Sequence, residues 1–268
     1  MALVPVAVIL SHAPVVAEPA QRIVSLNLCA DLLLVDLVEP SRIAALSRNA
    51  RNESLNPEPE KMAGFRLTGR TAEEALALGP DLVLAGAFAG RDAKAFLRAQ
   101  GIPVFEVGIA DTVNGIATVI RQTGDALNAA DRAAQLIASM ERPAPPDGKR
   151  PTALNLQRRG FVAGRNTLMD DLMRRAGLEN AAPFDGYRQF DAEGLMQLDA
   201  DIIVLSKAPG APADQGEALL QHPALQAHFG AAINVVVPGN LTVCAGPHVA
   251  RAIDLLRGAR SAFLKSER

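Results

Sequence analysis

One phrase occurs twice in this chain. Residues 72–86 read AEEALALGPDLVLAG and residues 192–206 read AEGLMQLDADIIVLS. Ala, Glu, Leu and Asp coincide at a constant offset, 193 − 73 = 120 residues, and an apolar run closes each copy. In the first copy Thr71 and Glu74 have capping-box spacing, in which a hydroxyl and a carboxylate each satisfy a free backbone N–H. The helix so started runs to Gly79-Pro80, and DLVLAG follows as a strand. Four identities in fifteen positions could be accidental, but the same strand–helix order surrounds both copies. The chain must therefore accommodate two similar α/β halves.

The rest of the pattern fits that constraint. RIVSLN (22–27) alternates as a strand and ADLLLVDLV reads as a helix. RIAAL (42–46), a loop rich in Asn, Pro and Glu, the first copy of the phrase, the helix DAKAFLRAQG and the strand IPVFEVG follow. Strands alternating with helices imply parallel pairing. Helix then takes over: Val113, Ile116, Ala117 and Ile120 share one face, Gly124 is a C-terminal stop, and Asn128 is a fresh N-cap for a stripe of Ala133, Leu136, Ile137 and Met140. RPAPPDGKRP (142–151) is the clearest linker. The second half repeats the plan with TALNL (152–156), a helix ended by Gly177, the second copy, NVVVP (234–238) and a last helix over about 247–264. The expected class is α/β, two Rossmann-like lobes joined by a long rigid helix with a ligand cleft between them. The divisions are 1–17 as a signal peptide, 18–124 as the first lobe, 125–150 as linking helix and linker, and 151–268 as the second lobe.

Several function classes are excluded by composition. A formal net charge of −2 over 268 residues gives no nucleic-acid-binding face. Two cysteines, Cys29 and Cys244, are too few for a disulfide scaffold. The opening MALVPVAVILSHAPVVAEPA carries an apolar run and a small-residue cleavage pattern at Val15-Val16-Ala17, too short and broken to span a bilayer. It reads as a secretion signal, although no Lys or Arg stands near Met1. The mature chain is then exported.

In a parallel α/β sheet, ligands bind at the carboxyl ends of the strands. The loops so placed are Asn27 to Cys29, Ser47-Arg48, Ala87-Phe88 and Gly108 in the first half, and Gln157 to Arg159, Ser206-Lys207 and Asn240 to Cys244 in the second. Helix N-termini crowd the same side, and Glu73 and Glu193 each fall at the second helical position. Both would complement a helix dipole there. Both could also meet a symmetric partner, one carboxylate per lobe.

The chain resembles the periplasmic substrate-binding proteins of ABC importers for vitamin B12, ferric siderophores and haem. The resemblance is carried by RIVSLNLCADLLLVDLVEPSRIAALS, AEEALALGPDLVLAG, LRAQGIPVFEV, LMDDLMRRAGLENAA and AEGLMQLDADIIVLS, from about residue 22 to the end. It implies a monomeric periplasmic receptor that holds a metal chelate between the lobes and delivers it to a permease dimer. It also implies that Glu73 and Glu193 pair with arginines of that permease. No cofactor is implied, because the metal arrives inside the cargo. Where relatives often carry a Trp near HPALQAHFGAAINVVVP, this chain has none.

For the cargo, Arg158 and Arg159 follow a strand directly, with Arg165 and Arg188 nearby; as a group they favour an anionic chelate. Lys207 adds a further cation at a strand end. Phe65, Phe88, Phe161, Tyr187 and Phe190 could stack on a flat chelate, with Tyr187, between Gly186 and Arg188, the best placed. Direct binding of bare zinc or manganese is disfavoured, because His222 and His228 read as surface residues. Cys29 and Cys244 occupy comparable loops of the two halves. They could touch the ligand, bond to each other across the cleft, or be buried; His248 shares the second loop. The alternative reading is a two-lobed nucleotide- or sugar-nucleotide-binding enzyme, against which stands the lack of a G-x-G-x-x-G after the first strand. An adhesion or scaffold domain would not need two facing loop sets.

Overall fold

A computed structural model describes residues 18–267 except 70, 88–89, 146 and 208–221. The expected signal segment and Phe88 lie outside the described residues. Two sheets carry the fold. The first contains β1 (Ile23–Ser25), β2 (Ile43–Ala45), β3 (Leu82–Gly86) and β4 (Val104–Val107), ordered β2-β1-β3-β4 and parallel throughout. Its helices are α1 (Leu28–Leu37), α2 (Ala72–Leu76) and α3 (Arg91–Ala99). α1 is buried at Leu28, Ala30 to Leu34 and Leu37, which identifies it as a central helix with almost no solvent face.

The second sheet contains β5 (Thr152–Leu156), β6 (Phe161–Ala163), β7 (Glu179–Asn180), β8 (Tyr187–Gln189), β9 (Ile202–Lys207) and β10 (Ile233–Pro238). Its order is β10-β9-β5-β6-β8, with β7 pairing β5 off that path. β10, β9, β5 and β7 are mutually parallel, whereas β6 and β8 extend the sheet antiparallel. The expected Gln157 to Arg159 loop thus leads straight into a strand, β6, that the sequence does not reveal. The helices here are α6 (Leu168–Ala176), α7 (Ala192–Leu195), α8 (Pro223–His228) and α9 (Val249–Ser266). Gly177 closes α6 in the left-handed region, φ +81°, as a glycine C-cap does.

Between the sheets run α4 (Val113–Ala126) and α5 (Ala130–Met140), so the helical link is a packed pair of helices. α4 continues two residues beyond Gly124. That glycine serves close approach: a Cβ there would stand 2.5 Å from the Cβ of Ala133 on α5. Nor is Asn128 the N-cap of α5. It takes φ +53° and turns the chain, and Ala129 holds the cap position. Asn tolerates this left-handed conformation better than most residues, which is why a polar residue stands at the break.

The start of α4 is tied to the second half. Thr112 caps it through the Gly115 amide at 2.9 Å, and Asp171 of α6 accepts the Val113 N–H at 2.8 Å. Arg175 of α6 adds a bond to Asn114 at 2.9 Å. One continuous core joins both halves, from Ile23, Leu33 and Leu34 through Ile116 and Ile120 to Leu172, Ile253 and Leu256. Smaller cores lie around Val83 and Leu97 in the first sheet and around Leu154 and Phe184 in the second.

Candidate functional site

The carboxyl ends of the two sheets meet at a covalent bond. Cys29, two residues beyond the Asn27 cap of α1, is bonded to Cys244 in the loop after β10, with Cα atoms 5.0 Å apart and 215 residues between them. His248, buried, lies against the Cys244 carbonyl at 3.0 Å through Nε2 and steadies that loop. Burial pushes the His248 imidazole down to about 4, so it is neutral at pH 7 and donates this bond.

Two adjoining cavities surround the bridge. One, of about 370 Å³, is lined by Gln157 and Arg158 after β5, Ser206 at the end of β9, and Gly239, Thr242 and Val243 after β10. The other, of about 210 Å³, is lined by Cys29 and by Gly108, Ile109, Ala110 and Asp111 after β4, facing Cys244 and Ala245. Leu168, Tyr187, Thr242 and Val243 line both, so the two are parts of one cleft. Strand-end loops from both sheets therefore line a shared groove, as parallel sheets dispose their ligand-binding loops.

Of the residues expected here, Cys29, Arg158, Tyr187 and Cys244 are brought together. Lys207 is half-buried beside Ser206 at the end of β9. Asn27 acts as a helix cap, its side-chain oxygen accepting the amides of Cys29 (2.9 Å) and Ala30 (3.2 Å). The arginines do not gather. Arg159 is exposed at φ +59° in a short turn, and its carbonyl accepts a bond from Gln189. Arg165 pairs with Asp185 at 2.9 Å. Arg188 stacks on Phe184 at 4.6 Å, and strand alternation sends it to the opposite face from Tyr187. Phe65 packs against the main core, and Phe190 against Phe184 with ring centroids 5.6 Å apart. Exposed Phe161 sits on β6. His222 caps α8 by accepting the Ala224 amide, and His228 lies against the Leu198 carbonyl.

The sequence reading missed Ile109, Ala110, Asp111, Leu168, Met169, Thr242 and Val243 or passed over them inside longer loops. For the residues after Gly108 the signal was available, since they continue a strand-end loop. For Leu168 and Met169 it was not, because both look like ordinary apolar helix positions. Asp111 acts on Tyr187: partial burial and this carboxylate together push the phenol above its usual range.

Glu73 and Glu193 are both exposed, each at the second position of its helix. Thr71 caps α2 with the reciprocal bond from Glu74, and Asp191 caps α7 by accepting the Gly194 amide at 2.8 Å. Each helix leads directly into a strand, β3 or β9, whose carboxyl end is the cleft end. Their N-termini therefore stand at the cleft end of each half.

A family model described as "Periplasmic binding protein" matches residues 23–235. The chain belongs to the periplasmic binding protein family. Among curated relatives, a cobalamin-binding protein of Halobacterium salinarum is 27% identical over 200 residues, covering 70% of this chain and 54% of that protein. The chain thus spans about half the length of the curated relatives it matches. Among solved structures of periplasmic binding proteins, the heme-binding protein RhuT of Roseiflexus sp. RS-1 superposes with TM-score 0.70 at 24% identity, covering 91% of this chain and 99% of that one. The vitamin B12 binding protein of Vibrio cholerae superposes with TM-score 0.63 at 16% identity, covering 92% and 99%. These likenesses establish the two-lobed α/β fold of periplasmic binding proteins. The family is one of binding proteins, and the nucleotide-dependent enzyme finds no support in it.

Proposed function

We propose that this chain is the exported receptor of an ABC importer, binding a metal chelate in the cleft and presenting it to a permease dimer. The observation that carries this reading is the cleft itself, lined by strand-end loops of both sheets and bridged by Cys29–Cys244. Residues 18–124 and 151–268 act as the gripping halves, with 125–150 between them. Tyr187, Arg158 and the loop around Val243 contact the cargo. Glu73 and Glu193 offer one carboxylate per half to basic residues of the permease. Residues 1–17 direct export and are removed, and the receptor works as a monomer. The cargo is a ferric siderophore, haem or cobalamin, the cobalamin arm supported by the curated relative and the haem arm by the solved structures.

Calorimetric titration of the purified chain against a ferric hydroxamate, hemin, cyanocobalamin and a nucleotide sugar tests the reading. Tight binding of one of the first three supports it. Binding of the nucleotide sugar alone would sink it.

A further inference from the structure

We infer that the cleft receives a metal chelate whose coordination sphere is already complete, the protein supplying surface and hydrogen bonds but no ligand to the metal. This rests on the chelate-receptor reading above and narrows its cargo. An open-faced complex such as haem is held by an imidazole, thiolate, thioether or phenolate on the metal. Each such group can be followed through the whole chain. Both cysteines are joined to each other, so neither offers a thiolate. Of four histidines, His12 belongs to the first 17 residues, His222 and His228 are exposed on α8 away from the cleft lining, and buried His248 spends its Nε2 on the Cys244 carbonyl.

Tyr187, the only tyrosine, and Met169 remain on the cleft wall. Met169 is 3% exposed and packs in the main core. To ligate ferric iron, Tyr187 must lose its proton. A neighbouring cation would assist; Arg188 lies on the other face of β8 against Phe184, and Arg158, which lines the same cavity, does not reverse the direction of the shift. Partial burial, and after it Asp111 across the cleft, favour the protonated phenol instead. Tyr187 is therefore a hydrogen-bond donor and an aromatic surface. Around it the cleft is apolar where it opens: Ile109 from the first half is 58% exposed and Val243 from the second 53%. Such walls suit the organic periphery of a closed chelate.

The test follows calorimetry and visible absorption together, adding cyanocobalamin, ferrioxamine B or hemin to the purified chain. The expected result is that cyanocobalamin or ferrioxamine B binds with a Kd at or below about a micromolar. Its absorption bands stay where they are in free solution, and Tyr187→Phe weakens binding by about 2- to 10-fold without moving them. Hemin as the tightest ligand overturns the inference, most directly if its bands shift on binding and the shift disappears in Tyr187→Phe or Met169→Leu. The receptor reading survives that outcome. Binding of none of the three removes both.

Discussion

The Asp201 carboxylate accepts both the backbone amide and the hydroxyl of Thr152, at 2.8 and 2.9 Å, and so pins the start of β9 to the start of β5. Asp81, at 201 − 81 = 120 residues earlier, does the same for β3 and β1 through the amides of Gln21 (2.6 Å) and Arg22 (2.9 Å). The repeated Asp is thus a fastener between the outermost residues of paired parallel strands. A carboxylate accepting such bonds is worth about 1–3 kcal/mol. Asp201→Ala should lower the urea unfolding free energy by about that amount, and Asp201→Asn by less. An unchanged midpoint in both would show that strand packing alone sets this register.

Cys29–Cys244 closes a loop of 215 residues and joins the two halves at the cleft. Restricting so long a loop in the unfolded chain stabilises the fold by about 2–5 kcal/mol. The double variant Cys29→Ser/Cys244→Ser should unfold at correspondingly lower urea, and reductant should bring the unaltered chain to the same midpoint. The bridge also opposes separation of the halves, a motion already restrained by Asp171 on the Val113 amide and Asn240 on the Glu53 and Asn56 carbonyls. Small-angle scattering of the reduced and oxidised chain should differ in the absence of ligand and converge in its presence.

What could be read from the sequence was local. The capping box of Thr71 and Glu74, the Gly177 stop and the alternation of β1 to β4 with helices follow from neighbouring residues, and all are present. Side-chain direction was not legible. Arg158 and Arg188 flank one cleft residue in space or sequence, yet only Arg158 lines the groove, because strand alternation sends Arg188 to Phe184. The antiparallel β6–β8 pair was equally hidden, since its central partners, Val162 and Arg188, are 188 − 162 = 26 residues apart and neither strand exceeds three residues. The cysteine pairing depends on two loops brought together only by the complete fold. Asn128 shows a subtler limit: a residue that favours helix starts also favours the left-handed turn just before one.

Glu73 and Glu193 occupy equivalent exposed positions, one per half, and neither lines the cleft. Reversing their charge should therefore separate delivery from capture. Glu73→Arg/Glu193→Arg is expected to abolish uptake in cells supplied with the cargo while leaving the calorimetric Kd within about 2-fold, a difference below 0.5 kcal/mol or so. Loss of affinity and uptake together would assign both residues to the integrity of their helices.

Asp31 and His248 give stability opposing dependences on pH. Burial pushes the Asp31 carboxyl up from 3.8 to about 6, against bonds from Ser25 and Ser47 that pull it down. Between those values the folded chain keeps a proton that the unfolded chain has released, so this contribution is full below 3.8 and is lost as pH rises through 6. His248 is lowered from 6.5 to about 4, again by burial. There the unfolded chain holds the extra proton, so its contribution is full above 6.5 and is lost as pH falls through 4. Each displacement corresponds to roughly 3 kcal/mol, and across pH 4 to 6 the two nearly cancel. Asp31→Asn should expose the histidine: relative to the unaltered chain, it loses stability on acidification from pH 7 to 4.5. His248→Gln, which can still donate to the Cys244 carbonyl, should do the reverse and gain about 2 kcal/mol relative to the unaltered chain over the same interval. Urea unfolding of the three proteins at both pH values measures this, and parallel changes in all three would mean that neither buried group titrates in that window.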